Sequence, residues 1–218
     1  MHHSPARIVL VTGGSRGIGA EVAQQLAGAD THVVVNHRQS AERAEGIAEA
    51  IRSAGGYAST LRADIADEAE CAAMIDTIAT RFGRLDALVL NASTDLESKI
   101  DPGYAMRLNR DAQRRLARMA VPLMPVGGRI VFVTSHQAHF FPHKAVPKGY
   151  TAIAASKRAG ETALHTMRSE FRRAGVHLTV VSAEMIDGKF AGTIVEAANT
   201  PNPLGVMFAC GTDYRITA

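Results

Sequence analysis

A short run near the start of the chain holds its most chemically loaded residues: Thr12-Gly13-Gly14-Ser15-Arg16-Gly17-Ile18-Gly19. Glycines at this density let the backbone turn sharply and approach a ligand closely, because no Cβ stands in the way. A β-branched stretch precedes the run and a helical pattern follows at once. The free N–H groups and positive dipole end of that helix therefore face whatever the glycines cradle. This is the chemistry of pyrophosphate capture. In a strand–turn–helix context the pattern predicts a dinucleotide site built on Gly13, Ser15, Arg16, Gly17, Ile18 and Gly19. The second strand ends in Val35-Asn36-His37-Arg38 with no acid. A carboxylate there accepts the ribose 2′-hydroxyl and repels a 2′-phosphate. Arg38 and Arg16 instead offer charge-assisted, two-pronged hydrogen bonds to a phosphate. The expected cofactor is NADP(H), with Asn36 beside it.

These residues need a scaffold, and the hydrophobic pattern supplies one. Candidate strands are Arg7–Thr12, Thr31–Asn36, Tyr57–Ala63, Leu85–Asn91, Arg129–Ser135, Val176–Ser182 and Gly205–Cys210. Several are nearly continuous apolar runs, as in parallel strands covered on both faces. Between them, Ile18, Val22, Leu26 and Ala29 share one helical face, as do Ala44, Ile47, Ala48, Ile51 and Ala54. A third helix opens with Asp67 and Glu70 at capping-box spacing, carries Met74, Ile75, Ile78 and Phe82, and stops at Gly83. The alternation predicts an α/β fold: a Rossmann-type doubly wound parallel sheet of about seven strands with helices on both faces. The whole chain, 1–218, reads as one dinucleotide-binding domain. Ligands in such sheets sit beyond the carboxyl ends of the strands, here just after Thr12, Asn36, Asn91, Ser135 and Ser182.

Composition narrows the function. A formal net charge of +3 is too slight to call for nucleic acid. Arg107, Arg110, Arg114, Arg115 and Arg118 spread around a helix and read as a solvated or interface face. Cys71 and Cys210 lie far apart without a CxxC, and His136, His139 and His143 lack the acid or Cys that completes a zinc set, so no metal is expected. No apolar run approaches the roughly 18 residues of a membrane span. The expectation is a cytoplasmic protein with no membrane or nucleic-acid partner.

The TGxxxGxG arrangement, together with Leu90-Asn91-Ala92-Ser93 after the fourth strand and Ala154-Ala155-Ser156-Lys157 further on, resembles the short-chain dehydrogenase/reductase family. The resemblance implies hydride transfer between a nicotinamide and a carbonyl or alcohol. It assigns Asp64 to the adenine, Asn91 and Ala92 to the cofactor, and Ile186 to the nicotinamide amide. It makes Ser135 the group that polarises the carbonyl, Asn109 the residue that orders water, and Lys157 the residue that binds ribose and tunes the proton donor. It also implies a homodimer or homotetramer paired through the helices around Asp101–Leu123 and Tyr150–Gly175.

The chain departs from the family in three places. The family's catalytic Tyr position, four residues before Lys157, is Ile153, which cannot donate a proton. Tyr150 lies about one turn further out and shares a helical face with Ile153 and Lys157. It reaches the site if the helix starts late or the preceding loop folds inward; otherwise it is a wall of the substrate pocket. Ala183-Glu184 replaces a Pro-Gly turn after the sixth strand. Only Asp187 to Leu204 precedes the last strand, so the substrate lid, around 188–204, is expected to be short or missing. Two readings stand: an NADP(H)-dependent oxidoreductase acting on a small-molecule carbonyl or alcohol, or a catalytically impaired NADP(H)-binding sensor.

Overall fold

Residues 6–93, 101–184, 190–201 and 205–209 are described by the computed structural model. Among them seven strands form one parallel sheet: β1 (Arg7–Val11), β2 (Thr31–His37), β3 (Tyr57–Arg62), β4 (Ala87–Leu90), β5 (Arg129–Ser135), β6 (His177–Ala183) and β7 (Val206–Ala209). Their order is β3-β2-β1-β4-β5-β6-β7. Strand order reverses between β1 and β4, and a crevice opens at such a switch point.

Successive residues of each strand serve opposite cores. Ile8, Leu10, Leu88, Ile130, Phe132 and Val180 face one layer; Val9, Val11, Val89, Val131, Val133 and Val181 face the other. Both sets are buried, which is why the strands read as unbroken apolar runs. The first layer is covered by α3 (Glu68–Phe82), α5 (Gln113–Ala120), α7 (Thr151–His165) and α8 (Arg168–Arg173), and the second by α1 (Gly17–Leu26), α2 (Ala41–Ser53) and α9 (Phe190–Asn199). Two short helices, α4 (Pro102–Met106) and α6 (His136–His139), lie at the carboxyl edge of the sheet.

Several local expectations shift. Thr12, Ala63 and Asn91 fall just past their strands, Leu85 precedes β4, and β6 begins after Val176 and runs on to Ala183. The last strand is Val206–Ala209, and Cys210 lies outside the described residues. Ala29 and Ala54 lie beyond the helices whose faces they were expected to extend. Asp67 caps α3 by accepting from Glu70 N–H, and Gly83 ends the helix with φ 69°. Glu70 does not complete the box: its carboxylate accepts from Asp64 N–H at 2.7 Å. Within the stretch expected to hold a short or missing lid, residues 190–199 form α9, which packs its apolar face on the sheet.

The stretch Arg107–Ala112 is a π-helical turn between α4 and α5. It presses the Asn109 carbonyl so close to Gly160 of α7 that a Cβ there would sit 2.0 Å from the oxygen. Gly→Ala inside a helix normally gains up to about 1 kcal/mol. Here the obstacle is backbone and cannot swing aside. Overpacking of about 1–3 kcal/mol therefore wins, and Gly160→Ala lowers the melting temperature by roughly 3–10 °C in a thermal scan.

Candidate active site

The glycine-rich turn is tied to the switch point by a compact knot. Thr12 Oγ1 donates to Val89 O (3.0 Å) and accepts from the N–H groups of Asn91 (3.0 Å) and Ala92 (3.1 Å). The Asn91 side chain donates back to Thr12 O at 3.0 Å and Gly13 O at 3.3 Å. Gly19 makes the knot possible, since a Cβ there would lie 2.4 Å from Gly13 O and 2.5 Å from Asn91 Nδ2. Gly13 and Gly17 take positive φ, 63° and 53°, which side chains rarely tolerate.

Around this turn opens a cleft of about 960 Å³. Gly13, Ser15, Arg16, Gly17, Ile18, Gly19, Asn36, Arg38, Asp64, Asn91 and Ala92 all line it, so every sequence-predicted residue of the adenosine and pyrophosphate end converges there. Asn36 does so with its side chain already committed. It accepts from Gly13 N–H (3.3 Å) and donates to Leu61 O and Ala63 O, which makes it a brace for the turn. Arg38 bridges the cleft, hydrogen-bonding the Tyr104 hydroxyl and pairing with Asp64 at 3.8 Å. Ile186 lies outside the described residues.

The neighbouring strand β5 ends at Ser135, whose Oγ is 3.0 Å from the Tyr150 hydroxyl in a buried contact. The helix does start late: α7 begins at Thr151, and Tyr150 caps it. Gly149, at φ 86°, turns the chain into that cap. Ser135 Oγ also accepts from Ala138 N–H at 3.2 Å, capping α6. Ile153 is buried among Ala138, Tyr150 and Ala154 and serves packing. Burial pushes the Tyr150 phenol up, and the Ser135 hydrogen bond partly offsets this. Lys157 Nζ reaches the Val133 carbonyl at 3.4 Å, and desolvation lowers its pKa to about 8.

The comparisons bear on the family and the fold. The short chain dehydrogenase family model matches residues 7–199. The chain is 32% identical over 209 residues to 1-cyclohexenylcarbonyl-CoA reductase of Streptomyces collinus, covering 92% of this chain and 72% of that protein. It is 32% identical over 182 residues to hydroxynaphthalene reductase of Aspergillus fumigatus, covering 81% and 65%. A short chain dehydrogenase from Burkholderia cenocepacia, solved in complex with NADP, superposes with a TM-score of 0.73 at 29% identity, covering 86% of this chain and 80% of that one. The chain belongs to the short chain dehydrogenase family. It spans 55–72% of the length of the curated relatives it matches.

In this short chain dehydrogenase the Asn109 side chain turns inward, donating to Ser156 Oγ at 2.9 Å, while Ser156 donates to Ile153 O. The amide thus braces the π-helical turn against α7. Of the arginines expected to form a solvated face, Arg115 departs: it is half-buried and donates to Ile65 O and Ala66 O, propping the loop that carries Asp64. Arg43, Ser40 and Tyr104 also line the cleft and were not anticipated. A charge scan flags Arg43, one turn into α2 beside Arg38. Nothing local announces Tyr104, which arrives from across the cleft. Among the described residues no group of three or more His, Cys, Asp or Glu is arranged to hold a metal, and no helix is long and apolar enough to cross a membrane.

Beside the site, Glu161 of α7 is 1% exposed and meets three cationic or titratable partners: His139 (2.9 Å), Arg158 (3.0 Å) and His165 (3.4 Å). Burial pushes its pKa up, but the hydrogen bonds of His139 and His165 and the charges of His139 and Arg158 outweigh that and hold it at about 2. A carboxyl depressed in the folded state stabilises above its unfolded pKa and loses that contribution as pH falls through the folded value. Urea unfolding is expected to show about 3 kcal/mol lost between roughly pH 4.5 and 2, and Glu161→Gln flattens the profile in that window.

Proposed function

We propose that this chain is an NADP(H)-dependent oxidoreductase that transfers hydride between the nicotinamide and a small-molecule carbonyl or alcohol. The observation that carries the reading is the buried Ser135–Tyr150 hydrogen bond, set at the same sheet edge as the glycine-lined cleft. The residues present fit the cofactor. Gly17 lines the cleft with nothing within 4 Å of where a Cβ would stand, leaving its backbone open to a ligand, and Arg16, Arg38 and Arg43 line the cleft where a 2′-phosphate would add negative charge. The Burkholderia relative, 29% identical, was solved with NADP, and the two curated relatives are named reductases.

Bound in the cleft, the nicotinamide supplies or accepts the hydride; the chain's own residues handle the proton and the geometry. In the reducing direction Tyr150 gives its phenolic proton to the carbonyl oxygen as hydride adds to the carbon, and solvent restores the proton. Ser135 holds the same oxygen and keeps the phenol aimed. Its acceptance of the Ala138 N–H fixes the hydroxyl's orientation. Lys157 remains protonated at neutral pH with a pKa near 8. Its ammonium would hold the ribose hydroxyls of a bound cofactor, and its charge would then favour the phenolate formed when Tyr150 gives up its proton. Asn109 braces the wall behind them. In the free protein burial pushes the phenol's pKa up, so the group rests protonated at neutral pH, ready to act as a donor. Assembly as a homodimer or homotetramer belongs to the same reading: Ala155, Ala159 and Ala163 of α7 line an open groove whose small side chains permit close helix packing.

Two measurements test the proposal. NADPH oxidation is followed against a panel of aldehydes, ketones and quinones; Tyr150→Phe is expected to lower kcat by about 10²–10⁴-fold, the usual worth of a positioned proton donor. Tight NADPH binding with no turnover on any carbonyl would identify a dinucleotide sensor instead. Separately, fluorescence titration of Arg38→Ala should weaken NADPH by roughly ten- to a hundredfold, the scale of a charge-assisted contact, while NADH binding changes little. Equal losses for both nucleotides would remove Arg38 from 2′-phosphate recognition.

A further inference from the structure

Glu161 plays no part in the proton transfer just described, yet it is one of the most completely buried charges among the described residues. Burying a carboxylate costs several kcal/mol unless it is well paired. The pairing here is directional. Arg158 and His165, on the carboxylate's own helix, occupy Oε1, and Oε2 is directed across to His139 on α6 at 2.9 Å. Helix α6 spans only His136–His139, too short to hold an orientation by its own hydrogen bonds. It is pinned at both ends instead: His136 Nδ1 lies 2.8 Å from Ser182 Oγ on β6, and His139 is held by Glu161. The residue that caps α6 is Ser135, through the Ala138 N–H.

These contacts form a closed circuit. From Ser135 the chain runs through α6 to His139, across the ion pair to Glu161, back along α7 to Tyr150 at its cap, and across the phenol to Ser135. We propose that Glu161 and His139 are positioning residues, a clamp that sets α6 against α7 and so holds Ser135 on Tyr150. The inference rests on the reading of Ser135 and Tyr150 as the reacting pair. Its physical weight comes from how steeply rate depends on placement: about 1 Å of displacement costs on the order of a hundredfold. Loss of the clamp removes no group that touches substrate, so it acts on kcat through the Ser135–Tyr150 contact.

The test uses His139→Leu, which leaves Glu161 paired with Arg158 and His165 and so leaves no uncompensated buried charge. NADPH oxidation with 2-tetralone or 9,10-phenanthrenequinone is measured in the wild type, His139→Leu, Ser135→Ala and the double variant, with NADPH dissociation constants by fluorescence. His139→Leu is expected to lower kcat by roughly tenfold or more, with the NADPH constant unchanged within about twofold. In the Ser135→Ala background it should cost nothing further, because groups acting through one another are not additive. Glu161→Gln, which keeps an acceptor for His139, should retain more activity than Glu161→Leu. Wild-type kcat in His139→Leu, or a loss that multiplies with that of Ser135→Ala, would overturn the clamp. If the wild type reduces neither carbonyl, the functional reading fails for those substrates and the clamp is judged by tyrosine labelled with ¹³C at Cζ. The Tyr150 resonance, assigned with Tyr150→Phe, should move in His139→Leu; an unmoved resonance overturns the inference.

Discussion

The hydrogen bond between Ser135 Oγ and the Tyr150 hydroxyl joins the end of a central strand to the cap of the helix that the chain reaches next but one. Ser135 is the last residue of a central strand, and its position is set by the sheet: it pairs with Ala183 of β6. Tyr150 is the cap of a helix packed on one face of that sheet. A strand end and a helix cap meet at 3.0 Å only if the intervening residues, 136–149, return the chain to the right height. That stretch contains a short helix pinned through His136 and His139, and a glycine at φ 86° immediately before the cap. The contact is buried, so each hydroxyl must satisfy the other. The same burial raises the phenol's pKa. One arrangement thus supplies both the aim of the proposed proton donor and its protonated resting state.

The other half of the site follows from sheet topology. Crossovers leave β1 and β4 adjacent with their helices on opposite faces, so the loops after them diverge and a crevice opens. Left alone, such loops would have many conformations. Thr12 and Asn91 remove that freedom by bonding each strand end to the other's backbone, and Asn36 braces the turn from the β2 side. The cleft is thereby preformed, and a ligand that enters it does not bear the entropy of ordering its walls. The arginines lie at the far end, beyond β2, where charge selects among ligands without disturbing the apolar packing beneath.

What could be read from the residues alone depended on whether the cause was local. The glycine turn was legible because pyrophosphate capture needs missing side chains in a fixed order, and the alternation of apolar strands and amphipathic helices was legible because each element's period is written along its own length. Asn36 and Asn109 illustrate the opposite. Both occupy the expected places, but an amide carries no mark of whether it faces a ligand or the protein, and both turn inward to brace neighbouring backbone. Arg115 reads as solvated from helical spacing, and only the loop packed beside α5 converts it into a prop for Ile65 and Ala66. Glu161 gives no sign in sequence of its three partners, because His139 is brought to it by the return of a loop.

Tyr150 and Ile153 show how a reactive group can sit one turn from the position the family resemblance assigns it while the fold stays whole. Ile153 is buried with Ala138, Tyr150 and Ala154 in a small apolar cluster between α6 and α7. A tyrosine in that cluster would need a partner for its hydroxyl, whereas the helix cap one turn earlier offers Ser135 directly. The exchange works only because α7 begins at Thr151. Tyr150 at the cap already has helical dihedrals, φ −87° and ψ −10°, and Gly149 at φ 86° supplies the turn that leads the chain into it. The placement of the proposed proton donor is therefore a property of where a helix starts, at a boundary marked by one glycine and one buried hydroxyl pair.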